Sequence, residues 1–214
     1  MFLEVSLIIN VLFPFWLEPY LISFDNLLFG HHPTVWVQDL FNRSLTEYMA
    51  FSYWSYYILL PLTGFVLFVQ KDKSLFRSFV FNLSLTLYIC YFSYLFLTAR
   101  GPHETLAHLH LEREVAGFFD NWVKTIQENA AISGAAFPSS HVTAVWISWI
   151  YLFRFRKWLG FVVLPLVLSL SFSVVYMQYH YAIDPIAGIV LICLSYPLGR
   201  KLEKNQKRRR AEVK

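Results

Sequence analysis

Two short strings of polar residues contain the types of side chain that perform phosphate chemistry. The first is Pro138-Ser139-Ser140-His141, and the second is His180-x-x-x-Asp184, about forty residues further along. Each lies where a hydrophobic segment meets polar sequence, and the stretch between them is long enough for two membrane crossings. Both strings therefore return to the same face of a membrane. Two histidines, two serines and a carboxylate that meet at a membrane surface indicate phosphate chemistry on a lipid.

His180 is the residue with the right chemistry to attack phosphorus. A neutral imidazole is a competent nucleophile when an acceptor holds its other nitrogen, and Asp184 would do this while stabilising the cation that forms. Residues four apart share a helix face, but Pro185 disfavours helical geometry at Asp184, which could instead lie at the helix cap. The alternative explanation is that Asp184 only caps the last span, ahead of Pro185 at the first helical position.

The serine-containing string predicts the start of a helix. Ser139 or Ser140 is a good N-cap residue, and the free N–H groups and positive dipole end of a helix N-terminus suit a phosphate. His141, one or two residues inside, could donate a proton to the leaving oxygen as a general acid. The alternative is a capped helix with a histidine at the membrane interface.

Arg100, at the end of an earlier hydrophobic segment, supplies a cation on the same face. A guanidinium is always charged and can bind two phosphate oxygens at once. The alternative is an arginine whose charge reaches the interface from a helix end. Because all three strings lie at the outer ends of consecutive spans, their coincidence favours one shared site.

The composition indicates an all-α integral membrane protein. Residues are 57% hydrophobic and 15% charged, against about a quarter charged in soluble domains. Five segments approach the ~20 residues that cross a bilayer. They are Tyr48–Val69, Leu75–Leu97, Ala136–Phe153, Trp158–Tyr179 and Ile183–Leu198. A sixth, Phe2–Phe24, is broken by charged and proline residues and is a short or tilted span or an interfacial helix. We expect about six transmembrane helices in a single membrane domain over residues 1–214, with a catalytic helical core at 48–198.

The charge pattern predicts the orientation. Two loops and the tail at residues 200–214 hold 14 of the 18 Lys and Arg, and alternating the spans places all three on one side, which is then cytoplasmic. All seven histidines fall on the other side. The loop at residues 98–135 lies there too and is predicted to contain an amphipathic helix around Val115–Ala130; a loop this long could serve as a lid or a substrate entry wall. The net charge of +4 is therefore a topology signal, and we expect no nucleic-acid partner.

The strings resemble motifs of the type 2 phosphatidic acid phosphatase superfamily, which includes vanadium haloperoxidases. Its motifs are Lys-x6-Arg-Pro, Pro-Ser-Gly-His and Ser-Arg-x5-His-x3-Asp, and their order and separation fit residues 48–198. The resemblance implies that His180 attacks phosphorus, Asp184 orients it and His141 protonates the leaving group. It also implies that Arg100, Ser139 and Ser140 bind phosphate, in a six-helix membrane bundle with the active site at the extracytoplasmic interface and with no metal or other cofactor.

The chain departs from the family pattern at two cations. The expected lysine is Ser93, and the expected arginine before His180 is Val174. A phosphate monoester carries nearly two negative charges at neutral pH, so a cation-poor pocket suits a diester better. This favours the branch of inositol phosphorylceramide and sphingomyelin synthases, which the segments Asp25–Pro33 and Glu47–Tyr53 also resemble. His103 could replace part of the missing charge.

These observations predict a membrane lipid phosphatase that works through a phosphohistidine. The first alternative is a lipid phosphotransferase that moves a phospho-headgroup to a lipid hydroxyl, and the second is a catalytically silent scaffold. A metal site at His103, His108 and His110 is a further reading. Substrates would be a phospholipid, an isoprenoid phosphate or a sphingolipid, and the oligomeric state stays open. We expect a bacterial inner-membrane protein with an extracytoplasmic site and a cytoplasmic C-terminus.

Overall fold

The chain folds as helices throughout the part that the computed structural model describes, residues 8–9, 13–111 and 117–212. These residues form no strand, and 78% of the structure is helical, as expected where the backbone must pair internally in lipid. The helices in chain order are α1 (Glu18–Phe29), α2 (Pro33–Trp36), α3 (Arg43–Trp54), α4 (Tyr56–Phe68), α5 (Ser74–Tyr94), α6 (Pro102–Thr105), α7 (Phe118–Ala130), α8 (Ser140–Phe155), α9 (Lys157–Tyr176) and α10 (Ile183–Glu212). Two 3₁₀ turns lie at Val37–Leu40 and Ala107–Leu109.

Among the described residues, three helices are long and apolar enough to cross a membrane, namely α5, α9 and α10. The predicted span Tyr48–Val69 is instead broken at Ser55 into α3 and α4, which bend by 42° and together would make a fourth span. The predicted span Ala136–Phe153 begins later, and α8 has 16 residues. At 1.5 Å per residue this is about 24 Å, short of the ~30 Å hydrocarbon layer.

The predicted first span, Phe2–Phe24, falls partly on residues 1–7 and 10–12, which lie outside the described residues. In the described part, α1 begins at Glu18 with a proline in its first turn and ends at Gly30, whose φ of +74° is the left-handed cap that glycine favours. With 12 residues, α1 is too short to cross a membrane by itself.

Helix α8 packs against α4, α5, α9 and α10, and it brings its own N-terminus next to that of α10. Gly188 allows this approach, because a Cβ there would lie 2.9 Å from Thr143 Oγ1 and 3.0 Å from the carbonyl of Ser139. Buried hydroxyl pairs also join helices, including Thr86 on α5 with Ser195 on α10 at 2.9 Å, which is how polar side chains hold helices together in membranes.

The loop at residues 98–135 is closed at its neck. A parallel bridge joins Ala99 and Ala135, with backbone N–H groups of Ala99 and Ala136 donating across it at 3.1 and 3.0 Å. Within the loop, α7 covers the predicted amphipathic helix from Phe118 to Ala130, while residues 115 and 116 lie outside the described part. Glu47 on α3 caps α7, because its carboxylate accepts from the backbone N–H groups of Phe119 (2.7 Å) and Asp120 (3.1 Å).

The basic segment predicted as a tail at residues 200–214 is helical up to Glu212. Helix α10 runs on from its apolar part without a break, although Pro197 lies inside it. Its 30 residues correspond to about 45 Å, so the basic part extends well beyond the apolar part.

Candidate active site

His180 lies in a tight turn between α9 and α10. Helix α9 ends at Tyr176, and the backbone N–H groups of Tyr179 and His180 both donate to the carbonyl of Val174, at 3.2 and 3.0 Å. Gln178 takes a φ of +64°, the left-handed conformation that reverses the chain. The turn leaves His180 buried, with 5% of its surface exposed.

Asp184 holds one side of the His180 ring. Its Oδ2 lies 3.0 Å from His180 Nδ1 and accepts from the backbone N–H of Tyr181 at 3.0 Å. The two side chains do not share a helix face, because His180 precedes α10 and Asp184 lies in its first turn. Because α10 begins at Ile183, Asp184 lies inside its first turn rather than at the cap, and Pro185 is not the first helical residue. With Nδ1 as donor, Nε2 keeps a free lone pair.

Ser139 holds the other side of the ring. It is the N-cap of α8, with its Oγ 3.5 Å from the backbone N–H of Val142, and it lies 3.3 Å from His180 Nε2. Its backbone N–H donates to the carbonyl of Asp184 at 3.2 Å. The N-terminus of α8 therefore faces the nitrogen with the free lone pair.

His141 lies beside His180, with ring centroids 6.1 Å apart. Its Nε2 is 3.3 Å from the hydroxyl of Tyr53 on α3, and Gln127 on α7 donates to that hydroxyl. The ring of Tyr56 packs against His141 at 4.5 Å. Tyr53 and Gln127 were not predicted as site residues, because each comes from a segment remote from the motifs in sequence.

Asp25 on α1 fixes the start of α10. Its carboxylate accepts from the backbone N–H groups of Ala182 (2.8 Å) and Ile183 (2.9 Å), and it is 2% exposed. It was not predicted as a site residue either. The only signal was a carboxylate in the segment Asp25–Pro33, which resembles part of a family branch.

A cavity of about 340 Å³ opens over the two histidines. Its polar lining includes Ser140, Gln127, three histidines and a carboxylate, and its walls are aromatic and apolar. The lining residues are Tyr53, Tyr56, Tyr57, Tyr91, Gly101, His103, Glu104, Ile126, Gln127, Ala130, Ala131, Ile132, Ala135, Ala136, Ser140, His141, Tyr179 and His180. No Lys or Arg of the described chain lines it. The cavity is therefore poor in cations, as the replaced motif residues indicate.

Arg100 lies next to this cavity and is not among its lining residues. Its Nε donates to Glu18 Oε1 at 2.7 Å, and its guanidinium lies over the ring of Trp16 at 4.4 Å. Its backbone N–H donates to the same Glu18 oxygen at 3.0 Å. The hydrogen bond that Arg100 donates to Glu18 raises the pKa of Arg100 further above its already high value.

His103 does line the cavity, beside the neck of the loop. Its backbone N–H donates to the carbonyl of Gln178 at 3.0 Å, and its ring packs edge-on against Tyr179 at 5.4 Å. Burial lowers the pKa of His103, and the nearby His180 adds to this, so the ring is a poor substitute for a fixed cation at neutral pH. Gly101 makes room for it, because a Cβ there would lie 2.6 Å from His103 Nδ1 and 2.7 Å from the carbonyl of Tyr179.

His108 and His110 do not join His103 in a metal cluster. Among the described residues, no group of three or more His, Cys, Asp or Glu side chains is arranged to hold a metal ion. His110 instead faces Thr34, with Nε2 at 3.4 Å from Oγ1, so the reading of these three histidines as a metal site is wrong for the described structure.

Burial also lowers the pKa of His180 below its usual value of 6.5, and a backbone hydrogen bond at Ala136 opposes this in part. The ring is thus neutral at physiological pH, as a nucleophile must be. His180 is a neutral imidazole between a carboxylate and a hydroxyl, next to a helix N-terminus, and it can attack phosphorus. The second histidine, His141, can deliver a proton.

Comparison with known families gives one match. The family model described as the PAP2 superfamily matches residues 19–198 of the 214. No curated protein and no solved structure matches the chain.

Proposed function

The chain belongs to the PAP2 superfamily, and from this and the geometry around His180 we propose that it cleaves a lipid phosphate ester through a phosphohistidine. Membership supports a phosphatase or phosphotransferase type of function, and the apolar helices indicate an integral membrane protein. The observation that carries the proposal is the buried His180, held at Nδ1 by Asp184 and facing Ser139 with Nε2.

The first step is attack of His180 Nε2 on phosphorus. The N–P bond forms as the bond from phosphorus to the leaving oxygen breaks, and the positive charge that develops on the ring is balanced by Asp184 at Nδ1. His141, which must be protonated when the ester is bound, gives its proton to the leaving oxygen. A water or a lipid hydroxyl then attacks phosphorus, His141 takes its proton, and the N–P bond breaks.

The phosphate oxygens would be bound at the start of α8. Ser139 and Ser140 supply hydroxyls, and the first N–H groups of a 16-residue helix point towards the anion. Arg100 would reach the phosphate with its terminal Nη donors while Glu18 holds Nε, and a bidentate grip of this type is strong. Tyr53 and Gln127 would position His141, and they are themselves expected to act only through it.

The lining of the cavity favours a phosphodiester over a monoester. Around it, Glu104 is an acid and three histidines have no fixed charge, so a dianionic monoester would meet little positive potential. The aromatic and alanine walls suit an apolar chain. A transferase that moves a phospho-headgroup between lipids, as in the inositol phosphorylceramide synthase branch, is therefore the second candidate function. Its substrates would be a phospholipid or sphingolipid, with an isoprenoid phosphate as a further option.

The orientation follows as part of the same proposal. The end of α10 that carries Arg200 and the residues after it would be cytoplasmic, and the histidine site would face the extracytoplasmic side. The bundle would have about six spans, with residues 48–198 as the catalytic core and residues 98–135 over the site.

The test compares wild type with His180→Ala and with His108→Ala, a matched change at an exposed loop histidine. Purified protein in lipid micelles, with and without EDTA, receives phosphomonoester and phosphodiester lipids, each with and without a lipid alcohol as acceptor. We expect wild type and His108→Ala to turn over a diester and His180→Ala to lose at least about 10⁴-fold.

Free phosphate or a free phosphorylated headgroup would identify water as the acceptor, and a new headgroup-bearing lipid would identify the transferase. Equal turnover by His180→Ala would eliminate the proposed nucleophile. Loss of turnover on adding EDTA would refute the metal-free reaction. No turnover of any lipid by wild type would favour the silent scaffold.

A further inference from the structure

A second cavity lies at the opposite end of helices α5, α8 and α10. Its volume is also about 340 Å³. Five of its lining residues are cations, which come from all three helices: Arg77, Arg154, Arg200, Lys207 and Arg210. The other lining residues are Ser74, Leu75, Ser78, Phe81, Glu203 and Gln206. Such a concentration of arginine around a concave surface is the usual environment of a bound anion.

Two of these arginines are held in place by buried groups. Arg200 Nη1 donates to Ser78 Oγ (3.0 Å) and to Glu203 Oε2 (2.9 Å). Ser78 Oγ in turn lies 2.7 Å from the hydroxyl of Tyr151, a fully buried residue. Arg154 Nη1 donates to the hydroxyl of Tyr196 at 2.5 Å, and its guanidinium lies over the ring of Tyr151. Their charges are therefore oriented before any ligand arrives.

The acids around the cavity do not balance its cations. Glu203 pairs with Arg200. Hydrogen bonds from Ser74 lower the pKa of Asp72, and the nearby charges of Lys207 and Arg77 lower it further. Five cations against two carboxylates leave an excess of positive charge. Within the described part of the chain, Arg77, Lys207 and Arg210 form no ion pair.

The N-terminus of α5 adds to this field. Ser74 and Leu75, its first two residues, line the cavity, and a 21-residue helix presents a positive dipole end there. The helix start alone would not make a site, but here it faces the same space as the five cations.

The height of the cavity matches a lipid headgroup. The cavity cations range from Arg154, about 21 Å along α8 from Ser140, to Arg210, about 39 Å along α10 from Asp184. With the histidine site at one surface, this range includes the far side of a ~30 Å hydrocarbon layer. We propose that this cavity binds a phosphate group, presented either by an anionic lipid headgroup or as a free phosphate.

The test is native mass spectrometry of the full chain in detergent, with dioleoyl phosphatidylglycerol or the zwitterionic dioleoyl phosphatidylcholine as ligand. The double variant Arg77→Gln/Arg210→Gln removes two cavity cations. Arg208→Gln/Arg209→Gln is the matched control, because it removes the same charge from residues of α10 that do not line the cavity. Titration with inorganic phosphate forms a separate arm.

We expect wild type to prefer phosphatidylglycerol, the cavity variant to bind it about tenfold or more weakly, and the control to stay within about twofold. Displacement of the lipid by millimolar phosphate would identify a free-anion site, and failure to displace it would identify a headgroup site; either result supports the proposal. Equal weakening in both double variants, or equal binding of the two lipids by wild type, would overturn it. Retained gel-filtration behaviour of the cavity variant shows that it is folded.

Discussion

The two ends of the bundle hold cavities of the same volume, about 340 Å³, and of opposite character. The histidine cavity is lined by three histidines, tyrosines and one carboxylate, and by none of the arginines or lysines that the structure describes. The basic cavity is lined by five cations and by no histidine. Helices α5 and α8 contribute lining residues to both cavities.

The difference teaches that most of the positive charge of this chain lies away from the proposed active site. At the histidine end, Ser139, His180 and Asp184 are buried and hydrogen-bonded to one another, which would orient them before a substrate binds. At the basic end, the cations are exposed and spread over three helices, which suits attraction of an anion rather than a reaction. The net charge of +4 thus describes the basic end and says little about the active site.

The largest expected effect is that of Asp184→Asn. Because Asp184 Oδ2 accepts from both His180 Nδ1 and the backbone N–H of Tyr181, the amide oxygen of asparagine would take that place, and a neutral amide cannot balance the positive charge that develops on the ring. We expect turnover to fall about 10⁴-fold, as for the aspartate of a serine-protease triad, with the thermal midpoint changed little. Arg77→Gln/Arg210→Gln at the basic end should keep turnover near wild type. A similar loss in both variants would break the distinction between the two ends.

The next effect is that of Gly101→Ala. Its Cβ would lie 2.7 Å from the carbonyl of Tyr179 and 2.6 Å from the ring of His103, so the turn that carries His180 must shift. A displacement of a catalytic group by about 1 Å costs about a hundredfold in turnover, and we expect a loss of this order. Gly64→Ala is the matched control, because the nearest atom to its Cβ is 3.7 Å away. Unchanged kcat in Gly101→Ala would show that the turn tolerates displacement.

A smaller effect should separate Arg100 from Glu18. If Arg100 binds phosphate, Arg100→Gln should lower kcat/KM about tenfold, chiefly through KM. Glu18→Gln leaves the guanidinium in place and should lower kcat/KM less. Steady-state kinetics with a diester lipid measures both, together with thermal midpoints. Equal loss of stability in the two variants with unchanged KM would make the pair structural only.

The smallest effect is a change of stability with pH. Only the histidine end should gain protons between pH 7 and 5, so this effect distinguishes the two ends. Burial lowers the pKa of His110 to about 4, and His103, His108 and His32 add to this. Below pH 6.5 the unfolded chain binds a proton at His110 that the folded chain does not bind. The free energy of unfolding therefore falls as pH falls from 6.5 towards 4. In His110→Gln, the drop in thermal midpoint from pH 7 to 5 should be smaller by about 2 to 4 °C. A wild-type midpoint that does not fall at pH 5 would contradict this.

The sequence was sufficient to predict most of the helices and the family. His180, Asp184, Ser139 and His141 come together as the motifs predict, because each motif lies at the end of a long helix and short connections return the chain to the same end. The roles of these residues, and those of Arg100, Ser140 and His103, stay predictions.

What could not be predicted are the residues that hold the site from a distance. Asp25 is 157 residues before Ala182, and Tyr53 is 88 before His141; hydrophobic periodicity carries no information on such pairs. The segments Asp25–Pro33 and Glu47–Tyr53, noted only for their resemblance to one family branch, contain three positioning residues: Asp25, Glu47 and Tyr53. The break at Ser55 was also missed, because α3 and α4 together read as one apolar run.

Helix α1 joins two parts of the site that are distant in sequence. Glu18 holds Arg100, and Asp25, seven residues later and thus on the same face, holds the start of α10. Glu18 and Asp25 have no proposed catalytic role, and yet they hold a proposed phosphate-binding arginine and the backbone just after His180. A twelve-residue helix therefore serves as a clamp between the segment after α5 and the start of α10.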